Sequence, residues 1–93
     1  MPKYAVRVAR SAEKAISGLP AASRARVLDR LDGLTADPFR PRPGADIRRL
    51  KQSKEPPLFR LRVGDYRILY FVIGNDILVT EVLHRSKAYR GIE

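Results

Sequence analysis

Residues 58–73 read LFRLRVGDYRILYFVI, and this stretch decides the fold. Apolar residues alternate with arginines as far as Val63, which is the period-two pattern of a strand with one buried face. The Gly64-Asp65 pair then indicates a tight turn. Beyond this turn apolar residues occur at both parities, which is typical of a central strand covered on both faces. The stretch therefore predicts an antiparallel hairpin.

Two short helices are predicted upstream of the hairpin. Ser11 is a plausible N-cap of the first helix, with Glu13 in its first turn, and Pro20 is suited to begin the second helix. The predicted buried stripes are Ala12, Ala15, Ile16 and Leu19 in the first helix and Val27, Leu28, Leu31 and Leu34 in the second. Together the two segments predict a helical hairpin.

The remaining elements are strands, and they set the fold class. In addition to the hairpin strands 58–63 and 66–73, strands are predicted over 4–9, 47–51 and 77–83. Because the strands follow the helices rather than alternate with them, the fold class is α+β. We expect an antiparallel meander sheet covered on one face by the N-terminal helical hairpin (β-α-α-β-β-β-β), with a possible short C-terminal helix. The 93 residues form a single domain, 1–93.

The charge of the chain indicates an anionic partner. There are 19 Lys and Arg residues against 10 Asp and Glu residues, which gives a net charge of +9. A positive field of this size attracts nucleic acid, an acidic protein or an anionic membrane surface. Arg outnumbers Lys by 14 to 5, and this bias favours phosphate because the guanidinium fork matches phosphate oxygens in pairs.

Several classes of protein are excluded by composition. The chain has no Cys and one His, so a disulfide framework, a thiolate metal site and a His-cluster metal site are ruled out. No apolar run approaches the roughly 18 residues of a membrane span. The N-terminus lacks the apolar stretch of a signal peptide. We therefore predict a cytoplasmic protein that has no cofactor, no bound metal and no membrane role.

Strand alternation predicts where the functional arginines lie. If the apolar residues of strand 58–63 pack under the helices, Arg60 and Arg62 project from the uncovered face of the sheet. Arg67 follows the turn and Arg85 ends the last strand, so four guanidinium groups are expected to converge on one concave surface. A polyanion would relieve their mutual repulsion. The alternatives are that Arg60 and Arg62 are simply solvated and that Arg67 pairs with Asp65.

Two segments resemble a known family. Residues 58–70, LFRLRVGDYRILY, resemble the central hairpin of RelE-type toxins, and residues 84–90, HRSKAYR, resemble their C-terminal His-Arg-x-x-x-Tyr segment. The predicted element order is also similar, so the chain is identified as a member of the RelE/ParE toxin superfamily. This resemblance implies a toxin of a type II toxin–antitoxin system, which binds a cognate acidic antitoxin.

The resemblance also implies an activity. The RNA-cleaving branch consists of ribosome-dependent endoribonucleases, which cut messenger RNA in the 30S A site without a metal. In that reaction the ribose 2′-hydroxyl attacks the adjacent phosphate. The alternative is a non-enzymatic inhibitor of DNA gyrase, as in the ParE branch. Members of that branch commonly lack the C-terminal Arg and Tyr pairing, so Arg85 and Tyr89 favour the ribonuclease.

The resemblance assigns roles to five residues. Arg60 and Arg62 match the two basic residues of the first hairpin strand. Arg67 matches the arginine that holds the phosphate, and Arg85 matches the arginine credited with stabilising the leaving group or the transition state. Tyr89 matches the tyrosine that stacks on or orients the substrate nucleotide, a contact that tolerates any base.

One position departs from the family pattern. Arg62 stands where well-studied members have a lysine proposed as the general base, and arginine keeps its proton at any ordinary pH. Either Arg62 only stabilises charge or another group takes the proton. His84 is the first candidate, because imidazole titrates near neutral pH. Packing at the end of a strand is the alternative role for His84, and Lys54, Glu55 and Lys87 are weaker candidates.

Overall fold

The computed structural model describes residues 3–50 and 56–87. Its elements are β1 (Ala5–Val8), α1 (Arg10–Ser17), α2 (Ala21–Gly33), β2 (Asp46–Arg49), β3 (Leu58–Val63), β4 (Tyr66–Ile73) and β5 (Asp76–His84). The predicted α+β class and element order are confirmed. The possible short C-terminal helix was predicted after the last strand, and most of that segment, residues 88–93, lies outside the described residues.

The strands form one mixed sheet in the order β1-β5-β4-β3-β2. From β2 to β5 each strand pairs antiparallel with the next, which is the predicted meander. β1 was not placed by the sequence patterns. It pairs parallel with β5, with Ala5 opposite Asp76 and Val8 opposite Val79, so the first and last strands of the sheet are neighbours.

The core lies between the two helices and one face of the sheet. The helices contribute Ala12, Ile16, Val27 and Leu31, and the strands contribute Ile47, Phe59, Leu61, Val63, Ile68, Tyr70, Val72, Ile77 and Val79. The prediction that the apolar side chains of β3 pack under the helices is therefore confirmed. Tyr70 is fully buried, and its hydroxyl donates to the Pro38 carbonyl at 2.7 Å. Burial raises the pKa of the Tyr70 phenol well above its usual range.

The start of α1 differs from the predicted cap. Ala9, not Ser11, occupies the N-cap position, and no side chain caps the helix. The reason is that Ala9 is still tied to the sheet, since its N–H donates to the Val79 carbonyl at 2.8 Å. The helix begins at the next residue, so Ser11 lies inside its first turn together with Glu13.

The packing of α2 corrects one predicted core residue. α2 begins directly after Pro20, as predicted, and it buries Val27, Leu31 and Leu34. Leu28 was expected to lie in the same stripe, but it is 51% exposed. Successive helical residues are rotated by about 100°. α2 packs through the narrow stripe i, i+4 and i+7 that begins at Val27, and Leu28 falls outside that stripe.

The face of the sheet turned away from the helices is called the second face below. Side chains at i and i+2 of a strand share a face, and residues paired across a ladder do so as well. On β3 the second face carries Leu58, Arg60 and Arg62, and on β4 it carries Arg67, Leu69 and Phe71. This face therefore combines apolar and guanidinium side chains.

The described residues contain neither a membrane-spanning helix nor a cluster of metal ligands. No helix within residues 3–50 and 56–87 is long and apolar enough to cross a bilayer. In the same residues, no group of three or more His, Asp or Glu side chains is arranged to hold a metal ion.

Candidate functional site

Arg62 and Arg67 form a like-charged pair across the central hairpin. Arg62 on β3 is directly opposite Arg67 on β4, and both side chains project from the second face. Like charges at directly opposed positions are unfavourable in an antiparallel pair. Arg62 is exposed, and within the described part of the chain its guanidinium has no ion pair. The hairpin thus holds two guanidinium groups together with no carboxylate of the described residues between them.

Arg67 is held against the turn that joins β3 to β4. Its Nη1 donates to the carbonyl oxygens of Gly64 and Tyr66, each at 3.3 Å. Because a guanidinium has five N–H donors, these contacts orient the group and leave other donors for a ligand. The expected alternative, a pair with Asp65, is not formed among the described residues, and Arg67 keeps an uncompensated charge.

Arg85 reaches the same turn from the end of β5. Its backbone N–H donates to the Asp65 carbonyl at 2.7 Å, and its Nε lies 3.7 Å from Asp65 Oδ1. Both side chains of this pair are more than half exposed. Exposed pairs of this kind are weak, so an incoming anion can displace the carboxylate. The Gly64-Asp65 turn therefore gathers Arg67 and Arg85.

Arg60 differs from the other three arginines because it is largely buried and ion-paired. Its side chain is 11% exposed, and Nη2 donates to Asp46 Oδ1 at 2.8 Å. Asp46 is directly opposite Arg62 in the β2–β3 ladder, yet its carboxylate turns diagonally to Arg60. The ion pair with Asp46 fixes Arg60 in place, and it leaves Arg62 without the carboxylate that lies opposite it in the ladder.

His84 lies at the end of β5 on the opposite side of the sheet. It pairs with Tyr66 in the β4–β5 ladder, and Tyr66 pairs with the buried Val63, so the register places His84 on the helix-covered side. The two rings meet edge to face with their centroids 5.4 Å apart. Nδ1 lies 2.9 Å from the Ser86 hydroxyl and 3.2 Å from the Ser86 N–H. Because the Ser86 N–H donates to Nδ1, the neutral ring carries its proton on Nε2, which is then a hydrogen-bond donor.

Comparison with known families and structures identifies the chain. A model described as the ParE toxin of the type II toxin–antitoxin system parDE matches residues 5–89. The chain belongs to the ParE toxin family. The predicted membership of the RelE/ParE superfamily and the type II toxin assignment are thereby confirmed. No curated protein sequence matches the chain.

Solved structures of toxin–antitoxin complexes resemble this toxin over nearly its whole length. The archaeal RelE–RelB complex from Pyrococcus horikoshii OT3 has 32% identity and a TM-score of 0.79, covering 92% of this chain and 99% of that one. The RelB–RelE complex from Methanococcus jannaschii has 26% identity and a TM-score of 0.72, with 92% and 98% covered. The RelBE2 complex from Mycobacterium tuberculosis has 27% identity and a TM-score of 0.71, with 91% and 100% covered.

Some predicted site residues of the toxin cannot be placed. Tyr89, which the C-terminal motif assigned to the substrate nucleotide, lies outside the described residues, as do Lys54 and Glu55. Lys87 is exposed, and its backbone N–H donates to the His84 carbonyl at 2.8 Å. Of the predicted site residues, the structure therefore describes the four arginines, His84 and Lys87, and the register places His84 on the other side of the sheet from Arg62 and Arg67.

Sequence reasoning missed a second group of arginines in the toxin. Arg26 and Arg30 of α2 and Arg42 of the following loop line a surface depression together with Arg62. The spacing of four between Arg26 and Arg30 places both on one helix face, which was a usable signal. The contribution of Arg42 depends on the path of a proline-rich loop, which no local pattern predicts.

Proposed function

We propose that this toxin is a ribosome-dependent endoribonuclease that cleaves messenger RNA in the 30S A site, in the cytoplasm. The observation that supports this most is the pairing of Arg62 with Arg67 directly across the hairpin, with Arg85 at the adjoining turn. This arrangement weakens the sheet in isolation and is stabilised by a phosphate group bound between the guanidiniums. A phosphodiester is the ligand that this charge and donor geometry fits best.

The reaction requires charge stabilisation that these arginines can supply. When the ribose 2′-hydroxyl attacks the neighbouring phosphorus and the 5′-oxygen leaves, negative charge accumulates on the phosphorane oxygens. Fixed guanidinium donors aimed at that charge lower the barrier. In this proposal Arg67 holds the phosphate, Arg62 stabilises the phosphorane, and Arg85 stabilises the leaving 5′-oxygen, without a metal ion.

Three further residues complete the proposed site. Arg60, whose charge is compensated by Asp46, keeps the Asp46 carboxylate away from Arg62. Tyr89 stacks on the substrate nucleotide. Since Arg62 cannot act as a base, His84 is proposed as the proton-transfer group. To accept the 2′-hydroxyl proton at Nε2, the ring must give up the hydrogen bond from the Ser86 N–H, so that Nδ1 carries the ring proton and donates to the Ser86 hydroxyl. The position of His84 on the helix-covered side requires the ribose to lie over the end of β5.

A second candidate function follows from the family itself. The matching family model describes ParE toxins, and non-enzymatic inhibition of DNA gyrase is the activity expected of that branch. The same basic surface would then bind a protein or a protein–DNA complex and would cleave nothing. The presence of Arg85 together with Tyr89 favours the ribonuclease over the gyrase inhibitor.

We also propose that the toxin binds a cognate acidic antitoxin. The three structures compared above are toxin–antitoxin complexes, and the net charge of +9 favours an acidic partner. An antitoxin that neutralises the second face would block the phosphate site. A short acidic protein should be encoded beside the toxin, and its co-expression with the toxin should yield a complex whose affinity falls with rising salt.

The deciding experiment separates the two activities in purified systems. Toxin is added to ribosomes programmed with a defined message, and primer extension maps the cuts. We expect cuts within the A-site codon, and we expect none when ribosomes are omitted. In parallel, the toxin is added to a gyrase supercoiling assay. Intact message combined with inhibited supercoiling would reject the ribonuclease and support the gyrase inhibitor.

A further inference from the structure

A basic depression lies beside the proposed cleavage site, at the end of the sheet next to α2. It has a volume of about 350 Å³ and is open to solvent. Its charged side chains come from α2, the loop before β2, the first residue of β2 and the end of β3. They are Arg26, Arg30, Arg42, Asp46 and Arg62. Four of these five groups are cationic.

The charge of the depression is not cancelled locally. Its carboxylate, Asp46, is already bound to Arg60 at 2.8 Å. Arg26 has no ion pair within the described residues. Arg30 pairs with Asp29 at 2.8 Å, but Asp29 is 71% exposed and is not part of the lining. The depression therefore presents a net positive surface that a bound anion would neutralise.

Arg42 is oriented before any ligand arrives. Its Nη1 donates to the Arg40 carbonyl at 2.6 Å, and its Nη2 donates to the Gly33 carbonyl at 3.0 Å. Carbonyl groups fix the guanidinium without removing its formal charge. A donor that is already fixed loses less conformational entropy when it binds a ligand.

The depression is continuous with the proposed cleavage site. Arg62 projects from the second face and also lines the depression. Gly64 lies between two guanidinium groups. Its carbonyl accepts a hydrogen bond from Arg67 at 3.3 Å, and a Cβ placed on it would lie 3.5 Å from Arg26 Nη1. A ligand that passes around the turn would meet Arg67 first and Arg26 next.

We propose that the depression is a second phosphate subsite, which binds the phosphodiester backbone of the RNA strand flanking the cleaved position. This inference rests on the proposed function, because it takes RNA as the ligand. Phosphate fits better than carboxylate because guanidinium forks bind phosphate oxygens in pairs. Continuity with the cleavage site also favours one strand that carries successive phosphates. The subsite adds affinity and register and has no part in the chemical step.

The test measures how binding to RNA depends on salt and on strand length. The ligands are 2′-O-methylated oligonucleotides of about four and about twelve nucleotides, within the range of single-strand site sizes. They cannot be cleaved, and binding is followed by fluorescence anisotropy. For single strands the slope of log K against log salt changes by about 0.7 for each phosphate contact. For the wild-type toxin we expect a steeper slope with the longer strand.

Variants of α2 test whether its arginines cause the steeper salt dependence with the longer strand. Arg26→Gln should reduce the slope by about 0.7 for the longer strand and leave the shorter strand unchanged. The double variant Arg26→Gln/Arg30→Gln should remove the length dependence, and Arg26→Lys should retain it. The matched control is Arg10→Gln, which removes an exposed arginine from α1. Circular dichroism verifies that every variant is folded.

The outcomes separate this inference from the proposed function. If the wild-type toxin cleaves message on ribosomes but the Arg26→Gln slopes equal those of the wild type, the subsite is wrong and the function stands. If cleavage is absent while the length-dependent slope is lost in Arg26→Gln, the subsite stands without the nuclease. If the wild-type toxin gives equal slopes for the short and the long strand, the phosphate subsite is wrong. The subsite is also wrong if Arg26→Gln lowers the affinity for an acidic antitoxin and leaves RNA binding unchanged.

Discussion

The two hairpin turns of the sheet have the same backbone and different surroundings. The basic turn, Gly64-Asp65, joins β3 to β4, and the far turn, Gly74-Asn75, joins β4 to β5 at the opposite end of β4. Both are two-residue loops whose glycine has a φ near +60°. This conformation suits the right-handed twist of the paired strands and favours glycine.

What differs is the set of side chains gathered at each turn. At the basic turn, Arg67 and Arg85 contact the turn itself. Beyond the far turn, the charge of Arg7 is paired with Asp76 at 3.2 Å. The same type of turn is therefore surrounded by a cationic site at one end of the sheet and by an ion-paired surface at the other. The proposed activity would therefore depend on which side chains surround the turn and not on the turn type alone.

Replacing arginines at the two ends of the sheet should give the largest difference in ribosomal cleavage. Arg67→Ala and Arg85→Ala should each lower ribosomal cleavage by about 10²–10³-fold, because each removes a donor aimed at the phosphorane. Both variants should also abolish growth arrest. Arg7→Ala is the matched control and should cleave like the wild type. Primer extension and growth curves after induction measure the effect, and toxicity of both Arg67→Ala and Arg85→Ala at the wild-type level would contradict the proposed site.

Replacing His84 tests the proton transfer proposed beside the basic turn. His84→Gln should lower the single-turnover cleavage rate by about 100-fold, at the low end for general acid–base catalysis. If the variant cleaves at the wild-type rate, His84 has only a packing role against Tyr66.

Alanine at the two turn glycines should separate stability from activity. Gly64→Ala and Gly74→Ala each place a side chain at positive φ, and each should lower the free energy of unfolding by about 1–2 kcal/mol. A methyl group at position 64 would make only an ordinary contact with Arg26 at 3.5 Å, but strain at this turn would displace the Gly64 carbonyl that orients Arg67, whereas no proposed site residue is hydrogen-bonded to Gly74 among the described residues. Urea denaturation should show similar losses for both variants, and only Gly64→Ala should also reduce cleavage. Equal cleavage by the two variants would contradict a special role for the basic turn.

The smallest expected effect is on the pH dependence of stability, and it concerns Asp37, which lies at neither turn. The Phe39 N–H donates to the Asp37 carboxylate at 2.9 Å, and this hydrogen bond is the main reason that the pKa of Asp37 is lowered. A lowered folded-state pKa stabilises the protein above the ordinary aspartate value, and that stability is lost as the pH falls through the folded-state pKa. The difference in urea midpoint between wild type and Asp37→Ala should therefore shrink between about pH 5 and pH 2. A difference that stays constant over this range would contradict the assignment.

The central hairpin was predictable because local patterns determine it. Alternation along β3 fixed which residues are buried, and Gly64 marked the turn, so the face of Arg60 and Arg62 followed from the sequence. The parallel pairing of β1 with β5 was not predictable. It joins segments about seventy residues apart, and no local pattern records which edge of the sheet receives β1.

The site could be predicted in part for the same reason. Positions on regular strands were assigned to a face directly, whereas charge pairing depends on the chosen rotamer. Asp46 is opposite Arg62 in register but bonds to Arg60, and Asp65 approaches Arg85 instead of Arg67. Helical periodicity alone also overestimated the buried width of α2, so Leu28 was predicted to be buried and is exposed.

The neighbouring positions of β1 and β5 have a consequence for synthesis of the toxin. A nascent chain emerges from the ribosome with β1 first, yet β1 has no strand to join until β5 has been translated. Pairing between such distant segments is also intrinsically slow. Arg85 follows β5, so the basic turn is completed at the same late stage. The ribosome that makes the toxin must therefore translate through β5 and Arg85 before the basic turn can be complete.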